Sequence, residues 1–353
     1  MDACDAVGIV IDPRVRLQQL TRVEPVRLVN GRSDGVRAFE VDTAAGLQLT
    51  CIADRALDVA RLKWKGISLC WESSNGIAAP SYYDPHGNGF LKSFFGGMLT
   101  TCGLTNFGPG GKDRWGEFGL HGRVDHLPAQ DVAVTRPPDA RAVCISGTIR
   151  ETRVFGCDFR LERRWKISTI DSRIELDDRV TNEGGKSWPH MILYHCNAGF
   201  PLLDRQTQVA LSHASMRPRD AAAKAGQAEW NRGADPQANF AEEVFIHTMR
   251  TGGNEKAVGI VANRELAGGL GLRISFDPRQ LPNAFTWRML GIEPYVFAIE
   301  PANCDAIEGR ISAAQRGVLP MVEPGETREY NLAFDVLAGD DLDAAMEGLE
   351  RSV

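Results

Sequence analysis

The sequence predicts an all-β protein, a large antiparallel β-sandwich with few short helices, on three observations. Apolar residues recur with period two along most of the chain. Glycine (36) and proline (18) punctuate segments of strand length. Stretches with a helical period of 3.6 are few, which argues against alternating βαβ units.

The elements follow in order. Leu47, Leu49 and Cys51 alternate with polar neighbours. Phe159, Leu161, Trp165 and Ile167 alternate with Arg160, Glu162, Arg164 and Lys166. Ile174, Leu176 and Val180 then alternate with Arg173, Glu175, Asp177 and Arg179. Asp171-Ser172 between these two runs is a turn signal, so they are expected to pair as a hairpin with a charged, solvated outer face. Further strands are read at Tyr295, Phe297 and Ile299, and at Tyr330, Leu332, Phe334 and Val336. Two stretches read as helical: the polar segment from Arg219 to Trp230, and a tail in which Leu342, Ala345, Met346 and Leu349 share a face after Asp340-Asp341. No repeat, low-complexity segment or Pro/Ser-rich linker divides the chain. A single domain over residues 15–353 is expected, with 1–14 as an N-terminal extension.

A chain of 353 residues that is 43% hydrophobic can bury a core without staples. Lys and Arg number 40 against 46 Asp and Glu, a net charge of −6, and no window is a basic run, so nucleic acid is not an expected partner. The first fourteen residues lack the charge pattern of a signal peptide, and no segment approaches the roughly 20 apolar residues of a membrane span. The eight cysteines form no C-x-x-C pair and sit among apolar neighbours, as buried free thiols do. A reduced, cytoplasmic protein is expected, although an even count would also permit disulfides.

Three places could carry chemistry. From Phe90 to Pro128 glycine is dense, through Phe94-Phe95-Gly96-Gly97, Thr105-Asn106-Phe107-Gly108-Pro109-Gly110-Gly111 and Leu120-His121-Gly122-Arg123. Such a segment lets backbone approach a ligand, or is simply a long connection. In Met191-Ile192-Leu193-Tyr194-His195-Cys196-Asn197, alternation puts His195 on one face with Leu193 and Asn197, a face expected to look inward. A histidine there is a site residue, or a core residue satisfied by a carbonyl. In Tyr295-Val296-Phe297-Ala298-Ile299-Glu300-Pro301-Ala302-Asn303, a carboxylate ends an apolar strand. Burial raises a carboxyl pKa toward neutrality, as a general base requires, while a salt bridge would account for Glu300 equally well.

The order of these features changes the reading. His121 in Leu-His-Gly, His195 in an apolar strand, Glu300 late, and Leu319-Pro320-Met321-Val322-Glu323-Pro324-Gly325-Glu326 beyond it together resemble the aldose 1-epimerase (galactose mutarotase-like) superfamily. The resemblance covers about Gly46 to Val336. The runs from Gly116 to Pro128 and from Tyr194 to Leu203 look closest to a less-characterised bacterial branch, DUF4432-like. It implies the large sandwich of that superfamily, with a His-Gly segment, a strand His and a late Glu converging on a groove. The chain departs from typical mutarotases at Tyr-His-Cys-Asn, where they carry Asn-His-x-Tyr-Phe-Asn, and at the Pro-Ala-Asn after Glu300. Fold and acid–base pair therefore transfer better than substrate.

By this resemblance Glu300 is the base that takes the anomeric hydroxyl proton, His195 the acid that protonates the ring oxygen, and His121 a hydrogen-bonding partner near that oxygen. The partner implied is a small-molecule sugar or sugar derivative, neutral or acidic, with no cofactor required and a homodimer compatible. Arg55, Asn106, Arg123, Asn197 and Trp287 are candidate substrate-binding residues, being guanidinium, amide and aromatic groups suited to hydroxyls and C–H faces. For Arg55 a local ion pair, for Asn106 a turn, for Arg123 a solvated charge and for Trp287 the core are the alternatives. No metal is expected: His121/His126 and His190/His195 are each five apart, a spacing that on strands points to opposite faces. Nucleophilic hydrolysis lacks a Gly-x-Ser-x-Gly, and Cys196 should point away from His195. Besides an epimerase, the sequence leaves another isomerase, lyase or hydrolase on an oxidised sugar, with Glu117 or Asp125 as a second carboxylate, or a non-catalytic sugar-binding protein.

Overall fold

The computed structural model describes residues 19–137, 141–250 and 255–352. Three antiparallel sheets dominate. Strands Thr21–Arg27, Arg37–Thr43, Leu47–Ile52, Asp58–Trp64 and Ile67–Ser68 form a five-stranded meander. An eight-stranded sheet runs in the order Gln208–Leu211, Ala257–Asn263, Leu270–Phe276, Thr327–Ala338, Arg173–Asn182, Asp158–Ser168, Ala142–Thr152 and Gln130–Thr135. A six-stranded sheet runs His213–Pro218, Glu243–Met249, Asn283–Leu290, Tyr295–Ala302, Leu193–Ala198 and Thr100–Cys102. The all-β sandwich is thus the fold observed.

The expected hairpin forms, with Leu161 opposite Val180 and Trp165 opposite Leu176. Its outer ladder pairs Glu162 with Arg179, Arg164 with Asp177 and Lys166 with Glu175, the last at 2.8 Å. One core cluster joins the sheets, from Leu49 and Val59 through Trp165, Ile174 and Phe334 to Tyr194, Phe297 and Ile299. The tail helix, Asp340–Ser352, buries Leu342 and Met346 against Ile260, Ala262 and Leu337. The polar stretch after Arg219 holds only a five-residue helix, Ala221–Ala225, capped by the Asp220 carboxylate, and a 3₁₀ turn, Gln227–Glu229. An additional helix, Arg310–Gln315, lies where no helical period marked it. The seven cysteines among the described residues are buried free thiols; Cys4 and the extension 1–14 lie outside them. No helix among the described residues is long and apolar enough to cross a membrane.

Arg163 breaks the alternation in an instructive way. Its neighbours Leu161 and Trp165 face the core, so Arg163 does too, and it is 1% exposed. Four partners compensate the buried cation: Asp178 at 2.7 Å, Asp58 at 2.5 Å, the Thr101 hydroxyl at 2.8 Å and the Ala56 carbonyl at 2.9 Å. Tyr194 donates its hydroxyl to the same Asp178 at 2.8 Å. This knot ties the eight-stranded sheet to the meander and to the strand that carries His195.

Candidate active site

Alternation along Leu193–Ala198 divides the strand. Tyr194, Cys196 and Ala198 enter the sandwich core. Leu193, His195 and Asn197 take the other face, so His195 is buried, as expected, but away from the eight-stranded sheet and beneath the glycine-rich segment instead. On the neighbouring strand, Leu193 opposite Ala302 and Cys196 opposite Ile299 bring His195 abreast of Glu300. The next strand sets Phe285 opposite Glu300 and Trp287 opposite Ala298.

Above this face lies a cavity of about 720 Å³. His195 and Glu300 form its floor and His121 part of its wall, while Trp71, Phe90, Phe94 and Trp287 supply aromatic sides. The ring of His195 meets Phe94, Trp287 and His121 at centroid separations of 5.1, 5.4 and 6.1 Å. Arg219 and Glu242 line it as well: Glu242 accepts the Trp287 indole N–H at 2.9 Å and the Arg219 guanidinium at 2.7 Å.

The glycines of the covering segment are there because backbone passes backbone. A Cβ on Gly122 (φ +73°) would stand 2.3 Å from the Gly103 carbonyl oxygen, and one on Gly108 (φ +76°) would stand 2.2 Å from that of Ile307. Between them His121, itself at φ 57°, accepts the Gly108 N–H on Nδ1 at 3.3 Å. That bond assigns its proton to Nε2, leaving a donor for the cavity.

His195 Nε2 lies 3.4 Å from Glu300 Oε1, yet neither Glu300 Oε1 nor His195 Nδ1 has a hydrogen-bond partner, and both are buried. The contact is long and off-line for a hydrogen bond, so we treat the two groups as neighbours aimed at the cavity. Burial, with Glu242 nearby, pushes the Glu300 carboxyl up to about 8. Burial and the neighbouring His121 push His195 down to about 3, and burial pushes His121 to about 4. At neutral pH the Glu300–His195 pair therefore carries one proton, and no ion pair holds it in place.

The remaining sequence candidates lie elsewhere or in supporting positions. Asn197 donates to the carbonyls of His195 and Gly97, at 2.9 and 3.1 Å, and its own oxygen is unpartnered. Asn106 is buried, donating to Gly119 O at 3.1 Å and accepting from the Arg310 N–H at 3.1 Å. Arg55 is fully buried and spends its donors on Asp125 (2.7 Å) and on the Ala78 and Ser93 carbonyls. Asp125 in turn binds His126 Nδ1 at 2.7 Å, whose Nε2 meets Ser93 Oγ at 2.7 Å. This Ser-His-Asp chain is buried, and through Arg55 it staples the covering segment to the meander. Arg123 faces a second, smaller cavity that also takes Glu117, while His190 bonds Tyr330 and the Leu104 carbonyl.

The sequence matches the family described as a domain of unknown function, DUF4432, over residues 33–336. The chain belongs to the DUF4432 family. Among solved structures, this DUF4432 protein is similar to a "putative aldose 1-epimerase" from Klebsiella pneumoniae subsp. pneumoniae MGH 78578. That pair shares 24% identity and a TM-score of 0.87, covering 93% of this chain and 87% of that one. A galactose mutarotase-like protein from Clostridium acetobutylicum matches at TM-score 0.64 and 12% identity, over 91% and 99% of the two chains. Galactose 1-epimerase from Lactobacillus acidophilus NCFM matches at 0.57 and 11%, over 90% and 99%. No curated protein matches the sequence. The DUF4432 chain thus has the galactose mutarotase-like sandwich fold.

The sequence reading missed Trp71, Phe94, Glu242 and Arg219. Trp71 stands beside Glu72 in a stretch without alternation, and Phe94 was visible only as part of a glycine-rich run. Glu242 and Arg219 flank a strand start and a short helix, where polar residues are the rule and carry no signal.

Proposed function

We propose that this protein is an aldose 1-epimerase-like isomerase that interconverts the anomers of a sugar by acid–base ring opening and closure. The observation that carries the reading is the Glu300–His195 pair: one proton on two buried groups, without protein partners at Oε1 and Nδ1, on the floor of an aromatic-walled cavity. A pyranose resting its C–H face on Trp287 or Trp71 would present its anomeric hydroxyl and ring oxygen to the pair. In the tautomer that places the pair's single proton on His195, the Glu300 carboxylate takes the O1–H proton, the His195 imidazolium delivers its proton to the ring oxygen, and the C1–O5 bond breaks, leaving Glu300 protonated and His195 neutral. The open aldehyde rotates about C1–C2 and closes on its other face with the transfers reversed. His121, donating from Nε2, holds the substrate near the ring oxygen. Because each step returns the pair to a singly protonated state, the roles of the two groups exchange between opening and closing.

The names of the structural neighbours support this reading, as does their common fold. A cytoplasmic setting accords with seven buried free thiols. The test is the rate at which freshly dissolved α-anomers of neutral and acidic sugars reach equilibrium, followed by NMR with wild type and Glu300→Gln. Acceleration by wild type, lost in the variant, supports mutarotation and identifies the sugar. Saturable binding without acceleration for any sugar would overturn it in favour of a sugar-binding protein or another reaction in the groove.

A further inference from the structure

On the far side of the segment that carries His121 lies a second cavity, of about 250 Å³. The two share a wall without sharing a floor. Phe90 and His121 face the first, whereas Tyr83, Gly119, Gly122 and Arg123 face the second. Trp115, Trp188 and Tyr83 give this cavity flat apolar surfaces, and Arg123, Arg153 and Glu151 give it directional polar groups.

Glu151 is the telling residue. Its side chain is 4% exposed. Oε2 accepts the Leu104 N–H at 2.9 Å, a full hydrogen bond. Oε1 has only the Thr105 hydroxyl at 3.4 Å and the Arg123 Nε at 3.6 Å, both too long to replace the water it gave up. Burial accordingly raises the Glu151 carboxyl above its ordinary range despite Arg123. Arg123 has one firm acceptor, the Thr152 carbonyl at 2.6 Å, which leaves further N–H groups. A carboxylate short of a donor beside a guanidinium short of an acceptor is matched by two adjacent hydroxyls, one donating to Glu151 and the other accepting from Arg123.

Charge decides between a neutral and an anionic ligand. Arg310, also in the wall, is neutralised by Asp113 at 2.8 and 3.0 Å and stacks on Phe118. Arg123 faces Glu151 at 3.6 Å, and Glu117 adds a second carboxylate to a wall in which Arg153 bonds the Trp115 carbonyl. With Asp113 on Arg310, three carboxylates accompany the three guanidinium groups, so the lining carries no net positive charge to favour an oxyanion.

We propose that this cavity is a second ligand site, for a neutral cyclic polyol of monosaccharide size, held by vicinal hydroxyls on Glu151 and Arg123 with its C–H face on Trp115. It is separate from the catalytic groove and does not depend on the groove's chemistry. The experiment is calorimetry and saturation-transfer NMR of the full chain with myo-inositol, D-glucose, D-xylose and D-glucuronate up to 100 mM. Myo-inositol has no anomeric centre and so reports binding without turnover.

Binding of at least one neutral polyol, weakened tenfold or more by both Glu151→Gln and Trp115→Ala and unchanged by Trp287→Ala, is the expected result. Glu151→Gln keeps an acceptor for Leu104, and Trp115→Ala removes a half-buried ring, so loss of fold in one leaves the other as the test. No neutral polyol binding at 100 mM, binding of glucuronate alone, or binding that falls with Trp287→Ala and not with the other two would each overturn the proposal. Failure of Glu300→Gln to affect anomer equilibration bears on the groove and leaves this result intact.

Discussion

His195 stands abreast of Glu300 on adjacent antiparallel strands, Nε2 to Oε1 at 3.4 Å, with no hydrogen bond to either Oε1 or Nδ1. A buried acid and base that satisfied each other would stabilise the fold and do little else. Left unsatisfied, they cost stability and hold a proton ready for a ligand.

The proton count of the pair sets the pH dependence. With Glu300 near 8 and His195 near 3, the singly protonated state spans the range between. kcat/KM for anomer interconversion should be flat from about pH 5 to 7 and fall tenfold per unit above about 8, as the pair loses its proton. A rate that instead rises through pH 8 would show that the doubly deprotonated pair is the active form.

Stability should carry the same signature with a definite sign. Glu300 has a folded pKa raised from 4.5 to about 8, so the folded state holds a proton that the unfolded chain releases between those values. Wild type therefore loses stability as pH rises through that window. Glu300→Gln keeps a neutral side chain at every pH. Urea unfolding should find it more stable than wild type at pH 8.5, by roughly 1–4 kcal/mol, and little different at pH 4.5. Equal differences at both values would mean that the Glu300 carboxyl is not strained by burial.

Arg55 bears on the fold and not on the ligand. Its guanidinium is fully buried and tied to Asp125 at 2.7 Å and to two carbonyls. Arg55→Met leaves Asp125 buried beside a single remaining partner, His126. The expected loss is about 3–5 kcal/mol in chemical denaturation. The exposed pair Arg150–Glu183, even shorter at 2.6 Å, should yield about 0–1 kcal/mol when removed.

How much of this was legible in the sequence depends on what each residue touches. Alternation showed the hairpin because its outer ladder is solvated and its inner face is apolar. Arg163 escaped notice because a charge at an inward position contradicts the pattern, and although Asp178 stands directly opposite it in the hairpin, its second partner, Asp58, comes from a distant strand. The strand positions of His195 and Glu300 could be read, yet their juxtaposition could not, since register between strands a hundred residues apart leaves no local mark. Arg55, Asn106 and Arg123 were chosen for their chemistry, and the backbone carbonyls that all three serve are invisible in one dimension. The short helix Ala221–Ala225 fell short of the stretch that suggested it, because Gly226 ends it and Trp230 turns to pack against His213 and His247.

Gly122 tests how the covering segment places His121. A methyl group at Gly122 would collide with the Gly103 and Asn106 carbonyl oxygens at 2.3 and 2.8 Å, both rigid backbone. Gly122→Ala should displace the turn, lowering stability by at least about 1 kcal/mol, and reduce kcat/KM through the misplaced imidazole more than His121→Ala alone reduces binding. Wild-type thermal stability and rate in Gly122→Ala would show that the turn yields freely.

Trp287 separates binding from chemistry. Its ring walls the groove 5.4 Å from the His195 ring, and its indole N–H is anchored on Glu242 at 2.9 Å. Trp287→Phe keeps an aromatic face and releases Glu242, whereas Trp287→Ala removes the face as well. A side chain that contacts the sugar equally in ground and transition states contributes to KM and leaves kcat alone. Trp287→Ala should therefore raise KM about tenfold or more, with kcat within a factor of about three. Trp287→Phe should recover most of the lost affinity if stacking carries it. A large fall in kcat for both variants would instead assign the indole, through Glu242, to the tuning of Glu300. The acid–base pair would then extend to a third group, the Glu242 carboxylate, and the high-pH limb of the rate profile would move with the substitution.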